Sequence, residues 1–151
     1  MAKFLSRLVF DLDETLIIKT GEGGRFALSP LGEMITLLHK AGLFNKLRIF
    51  SAGVNIERVR ALFPDTLEVV NVEPLPVADE NIIRMADEAM EGARKEAEAA
   101  GWPAVGTFAW FGKGGLSDGE ILVDDTAAVQ RLYGINAVEP WKILGELKAL
   151  L

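Results

Sequence analysis

A chain of 151 residues, half hydrophobic and a quarter charged, is sized for one domain with a sizeable core, and residues 1–151 read as a single unit. The formal net charge of −6 repels phosphate backbones at long range, which disfavours nucleic acid as a general partner. No cysteine is present, so disulfides, thiol nucleophiles and cysteine-ligated zinc are excluded, and no run approaches membrane-spanning length or forms a secretory signal, so a cytoplasmic protein is expected.

Leu8, Val9 and Phe10 form an unbroken apolar run, the pattern of a strand buried on both faces of a parallel sheet. Asp11 and Asp13 follow at once. In an extended chain both side chains point to one side, and the two like charges need a cation or a shared proton to offset them. Ile17 and Ile18 lead into glycine-rich residues 19–25, which read as a flap or tight hairpin; the Gly-Lys-Ser/Thr ending of a P-loop is missing. Ser29 is placed to cap a helix with Pro30 at its first position, and Leu31, Met34, Ile35, Leu37 and Leu38 supply the apolar face.

Leu47, Ile49 and Phe50 predict a second strand, ending at Ser51-Ala52-Gly53. A helix from about Asn55 stops at Phe63, because Pro64 disfavours continuation. Leu67, Val69, Val70 and Val72 predict a third strand, running into the loop Glu73-Pro74-Leu75-Pro76. The longest helix spans about Asp79 to Ala100, with Ile82, Ile83, Met85, Ala86, Ala89, Met90, Ala93 and Ala97 near helical spacing and Gly101 and Pro103 to end it. Residues Thr107 to Phe111 predict a fourth strand before Gly112-Lys113-Gly114-Gly115, and Ile121 to Val123 a fifth before Asp124-Asp125. Thr126 reads as the N-cap of a helix closing at Gly134; Ile135, Ala137 and Val138 give a last strand, and a terminal amphipathic helix starts near Trp141. Strands alternating with helices predict an α/β fold, doubly wound, with a mostly parallel central sheet and helices on both faces.

Right-handed crossovers bring the carboxyl ends of parallel strands to one edge of the sheet, where such folds bind ligands. Asp11 and Asp13, Ser51, Lys113, and Asp124 with Asp125 all fall at or near such ends. A cluster of acids, a hydroxyl and a lysine is therefore expected there, around a divalent cation, with one aspartate as nucleophile. The sole histidine, His39, reads as a surface residue, and Trp102, Trp110 and Trp141 as packing residues.

In this order the residues resemble the haloacid dehalogenase-like (HAD) phosphatase superfamily, whose pattern is Asp-x-Asp-x-Thr, a Ser or Thr after a strand, a Lys, then an acidic pair. Here these stand as Asp11-Leu12-Asp13-Glu14-Thr15, Ser51, Lys113 and Asp124-Asp125. The Asp-Leu-Asp-Glu-Thr-Leu form, and Leu116-Ser117 soon after Lys113, are similar to the branch of polymerase C-terminal-domain phosphatases and NLI-interacting-factor-like proteins. The resemblance spans most of the chain. It implies a Rossmannoid Mg²⁺-dependent phosphomonoester hydrolase in which Asp11 attacks phosphorus to form an aspartyl-phosphate. Asp13 would protonate the leaving oxygen and then deprotonate the resolving water. Asp11 and Asp124 would ligate Mg²⁺ through their side chains and Asp13 through its backbone carbonyl. Ser51, Ala52, Leu12 and Lys113 would bind the phosphate, with Asp125 and Thr15 in support.

No stretch is left over for a cap domain, so the resemblance implies a capless enzyme with an open site, compatible with phosphoprotein, polymer-end or small phosphate-ester substrates. The eleven positions from Lys113 to Asp124 are fewer than usual for the family, and Gly112, Gly114 and Gly115 predict that the lysine sits on a mobile loop. A receiver-like signalling domain and a catalytically idle phosphate- or metal-binding module are the competing readings. Receivers carry their phosphoacceptor aspartate after the third strand, where this sequence has none near Asn71.

Overall fold

The computed structural model describes residues 4–20, 25–44, 46–50, 63, 67–70, 72–75, 80–103, 105 and 112–151. After a single 3₁₀ turn at Leu5–Arg7, the chain forms β1 (Leu8–Phe10), a hairpin of β2 (Ile17–Thr20) and β3 (Arg25–Leu28), helix α1 (Pro30–Lys40), β4 (Leu47–Ile49) and β5 (Leu67–Val69). It continues through β6 (Glu73–Pro74), α2 (Glu80–Ala99), β7 (Lys113–Gly114), β8 (Ile121–Val123), α3 (Ala127–Leu132), β9 (Ala137–Val138) and α4 (Pro140–Lys148). The main sheet has five strands in the order β5-β4-β1-β8-β9, and every neighbouring pair is parallel.

β1 is central, and all three of its residues are buried, as an unbroken apolar run requires of a strand covered on both faces. The pleat sends Leu8 and Phe10 one way and Val9 the other. Leu8 and Phe10, with Leu47, Ile49 and Val123, pack against Leu31, Ile35 and Leu38 of α1 and Ile143 and Leu147 of α4. Val9 and Leu122 pack instead with Ala127 of α3 and with Ala137. Helix α2 lies against α3 through Ala86, Met90, Ala93 and Val129. The result is a parallel α/β sheet with helices on both faces. Burying each of these larger side chains contributes roughly 1.5–3 kcal/mol.

Two residues assigned to apolar stripes stand outside them: Leu37 and Met85 are each 49% exposed. At 100° per residue, Leu37 lies ~120° away from the Leu31–Ile35–Leu38 line, and Met85 ~100° away from Ala86–Met90–Ala93–Ala97. The predicted loop at Glu73-Pro74 is instead the short strand β6, antiparallel to β7, with Glu73 opposite Gly114 and Pro74 opposite Lys113. Proline is tolerated because the ladder is only two residues long and lies outside the main sheet. The predicted helix from Asn55 and strand at Thr107 to Phe111 lie outside the described residues. Among the described residues no helix is long and apolar enough to cross a membrane.

Helix α1 starts where the sequence places its cap. The Ser29 hydroxyl accepts from the Gly32 N–H at 3.0 Å and donates to the Thr15 carbonyl at 2.5 Å, tying the helix to the turn after β1. Gly32 is required by contact: a Cβ there would lie 2.3 Å from the Leu16 carbonyl oxygen.

Just past the edge strand β9, the buried Glu139 carboxylate accepts from Arg131 Nη1 at 2.6 Å and Nη2 at 3.0 Å, joining α3 to the start of α4. Burial alone would raise the pKa of Glu139, but Arg131 outweighs it and Lys142 adds to that, leaving the group below its ordinary value. A depressed carboxylate stabilises the fold above its unfolded pKa of 4.5, and that contribution is lost as pH falls through the folded value. Glu139→Gln is therefore expected to lose about 1.5–3 kcal/mol of stability near pH 7 and progressively less as the pH is lowered below 4.5. Urea unfolding across that pH range measures the difference.

Candidate functional site

Parallel pairing of β1 with β8 sets Phe10 opposite Val123, so the residues that follow, Asp11 and Asp124, emerge side by side. The Asp11 N–H donates to the Val123 carbonyl at 2.9 Å, extending the ladder by one bond. From β1 the chain crosses through α1 to β4 on one side, and from β8 through α3 to β9 on the other. The carboxyl ends of β1 and β8 thus flank the point where the winding reverses, the crevice in which open α/β sheets hold ligands.

Beyond Leu12 the chain turns sharply. The Leu12 carbonyl accepts from the N–H groups of Leu16 at 2.9 Å and Ile17 at 3.1 Å. Glu14 takes a left-handed backbone conformation, φ 58°, the one non-glycine residue to do so among those described. Its carbonyl accepts from Trp102 Nε1 at 3.2 Å, so that tryptophan anchors the turn besides packing against Trp141. The turn delivers Thr15 back beneath the acids. Its hydroxyl lies 3.3 Å from Asp11 Oδ2 and 3.3 Å from Asp125 Oδ1, and it accepts from the Asp125 N–H at 3.0 Å.

Asp11, Asp124 and Asp125 are all buried, and each offers a carboxylate oxygen within 4.8 Å of the others. Lys113 is buried with them: its Nζ lies 2.7 Å from Asp11 Oδ1 and 2.6 Å from Asp124 Oδ2. The Thr126 N–H and hydroxyl both donate to Asp124 Oδ1 at 2.8 Å. Three carboxylates against one ammonium leave a formal excess of two negative charges in the buried cluster.

The charge balance shows in the titration of the groups. Burial, then the neighbouring Asp124 charge, push Asp11 up to about 7, although Lys113 acts in the opposite sense. Burial would raise Asp124 too, but the ammonium and the Thr126 bonds hold it below its ordinary value. Lys113 is held above its usual value because Asp11 and Asp124 outweigh its desolvation. Glu14 is raised by burial and by Asp13, with Lys19 partly offsetting them.

The structure brings together Asp11, Asp124, Asp125, Lys113 and Thr15, whose extremes, Asp11 and Asp125, stand 114 positions apart in the sequence. Three expectations change. The like charge weighing most on Asp11 is Asp124, across the sheet, not Asp13, two positions along. Asp125, expected in support, supplies the third side chain of the triad, while Asp13, expected at a metal only through its backbone carbonyl, is half-buried with its carboxylate outside the triad. Lys113 is no solvated loop residue: it is 6% exposed and held on strand β7. Leu12 is wholly buried, so only its main chain can face a ligand. Ser51 and Ala52 lie outside the described residues.

Thr126 stands at the N-cap position of α3, yet its side chain makes no capping bond; the hydroxyl serves Asp124 instead. Sequence reading also passes over Gln130. Fully buried, it accepts from the Lys113 backbone N–H at 2.8 Å. Its spacing of four from Thr126, one helical turn, is the only signal that could have pointed to it. No family model matches this chain, nor does any curated protein or solved structure.

Proposed function

We propose that the protein is a HAD-type, Mg²⁺-dependent phosphomonoester hydrolase acting through an aspartyl-phosphate on Asp11. The observation that carries this reading is the meeting of Asp11 with Asp124, Asp125 and Lys113 at the reversal point of the sheet. The order of the same residues along the chain resembles that superfamily, and the central sheet suits a Rossmannoid fold. An acyl-phosphate needs a carboxylate with positive charge beside it, which the Lys113 ammonium, 2.7 Å from Asp11 Oδ1, together with a cation held by the excess acids would supply.

The residues present fit a magnesium ion. The donor set is all oxygen, and the buried cluster carries two negative charges more than Lys113 neutralises. Asp11, Asp124 and Asp125 would hold the ion through their carboxylates, and the Asp13 carbonyl remains the further ligand implied by the resemblance. When bound, the metal supplies positive charge to the transferring phosphoryl group.

The chain itself does the rest. An Asp11 oxygen forms a bond to phosphorus while the bond from phosphorus to the ester oxygen breaks. Asp13, half-buried at the start of the turn, gives its proton to that leaving oxygen. It then takes a proton from a water that attacks the same phosphorus, releasing inorganic phosphate and restoring the Asp11 carboxylate. Lys113 faces both Asp11 and the charge that gathers on the phosphoryl oxygens. Thr15 fixes the Asp11 carboxylate relative to Asp125. The test is steady-state hydrolysis of an aryl phosphate with Mg²⁺ present. Turnover abolished by chelator and restored by added Mg²⁺ is the expected outcome, and chelator-insensitive turnover overturns the proposal.

A further inference from the structure

We infer that Gln130 is a positioning residue that sets where the Lys113 ammonium stands, a role that rests on the phosphatase reading for its catalytic consequence. Lys113 reaches its two carboxylates through a long, flexible side chain, so the place of its backbone decides where the charge arrives. That backbone is gripped from two sides. On one side β6 pairs with β7, and the Leu75 N–H donates to the Gly112 carbonyl at 2.9 Å. On the other, the Lys113 N–H donates to Gln130 Oε1 at 2.8 Å. Gly112 packs so closely under Tyr133 that a Cβ would fall 2.7 Å from the ring.

The far end of Gln130 closes a ring of buried polar groups. Its Nε2 lies 3.5 Å from Thr126 Oγ1, and that hydroxyl donates to Asp124 Oδ1 at 2.8 Å. Asp124 Oδ2 in turn accepts from Lys113 Nζ at 2.6 Å. Proton accounting fixes the direction of every bond. An ionised carboxylate only accepts, so the single hydroxyl hydrogen of Thr126 goes to Asp124. Thr126 then has only a lone pair to offer Gln130, which must turn its NH₂ toward the threonine and its oxygen toward the Lys113 N–H. A glutamine is the one uncharged side chain of this length that satisfies both ends. Gln130 thereby couples the backbone of Lys113 to the orientation of Asp124, the ammonium's other anchor.

Gln130→Met keeps the length and removes both bonds; Gln130→Glu keeps the acceptor and, when ionised, loses the donor. Two readouts are taken on the whole chain: the ¹⁵N resonances of the Lys113 amide and ammonium, and kcat and KM for an aryl phosphate with Mg²⁺. For Gln130→Met the expected result is displaced Lys113 signals and faster exchange of its amide. The kcat per folded molecule should fall about 10- to 100-fold, with KM changed far less. Gln130→Glu is expected to restore the amide signal and part of kcat. Unmoved Lys113 resonances in Gln130→Met, or a loss of kcat matched by loss of folded protein, overturns the inference. Should Gln130→Met not fold, Gln130→Glu decides alone: an ammonium resonance and kcat both equal to those of the unaltered protein overturn it. The resonances report on positioning without turnover, so an unaltered protein that hydrolyses nothing removes the phosphatase reading while leaving the positioning role to the spectra.

Discussion

Replacing Asp11 with asparagine is expected to lower aryl-phosphate turnover by about 10⁴- to 10⁶-fold, the scale seen when a nucleophile acting within a cooperating group is removed. The amide has the shape of the carboxylate, and its oxygen can still accept from Lys113, but it cannot attack phosphorus. The fold should survive. Asp11 is one of three buried carboxylates served by one ammonium, and its elevation to about 7 records how poorly that site tolerates its charge. Removing the charge relieves Asp124 of its nearest competitor for Lys113. Circular dichroism and urea unfolding should therefore show a native protein of equal or greater stability. Such an outcome separates lost chemistry from lost structure. Turnover above about a tenth of the starting value would exclude Asp11 as the nucleophile.

Lys113→Met is expected to do the reverse, damaging the fold as well as the rate. Its ammonium lies 2.7 Å from Asp11 and 2.6 Å from Asp124, and no other cation is recorded in contact with either among the described residues. Removing one partner from a buried ionic cluster leaves uncompensated charge, with a typical loss of about 3–5 kcal/mol. Hydrolysis should fall about 10²- to 10³-fold further than loss of folded protein explains, as for other preorganised donors aimed at a charged transition state. The excess charge of the cluster rises from two to three, so Mg²⁺ alone should raise the thermal midpoint of the variant more than that of the unaltered protein. A variant as stable as the unaltered protein without metal would mean that the carboxylates do not need the ammonium.

What could be read from the residues alone was whatever short-range pattern dictates. Leu8-Val9-Phe10 announces a buried central strand because no polar residue interrupts it, and Ser29-Pro30 announces a helix start because each residue has its own physical preference there. Asp11 and Asp124 were legible as partners because parallel strands put their carboxyl ends on one edge. The glycines around Lys113, by contrast, suggested freedom, whereas Gly112 and Gly114 are small because Tyr133, Leu75 and the Glu73 carbonyl crowd them. Only tertiary packing distinguishes these two uses of glycine. The β6–β7 ladder joins segments about 40 residues apart through backbone groups that every residue possesses, so side-chain pattern carries no trace of it. Gln130 escaped for a related reason: its partners are a main-chain N–H and a threonine whose nominal role was a cap.

The separation in sequence between cooperating groups also bears on how the buried cluster is assembled. Asp11 is synthesised well before the lysine that faces it, which follows 102 positions later, and Asp125 stands 110 positions beyond Thr15. β1 can take β4 as a neighbour early, but its other flank stays bare until β8 is made. Such distant pairings close slowly, and a nascent chain waiting for them presents an unpaired strand edge. A chain synthesised only as far as β4 therefore carries Asp11 without Lys113, Asp124 or Asp125, and the buried cluster assembles only once β7 and β8 have been made.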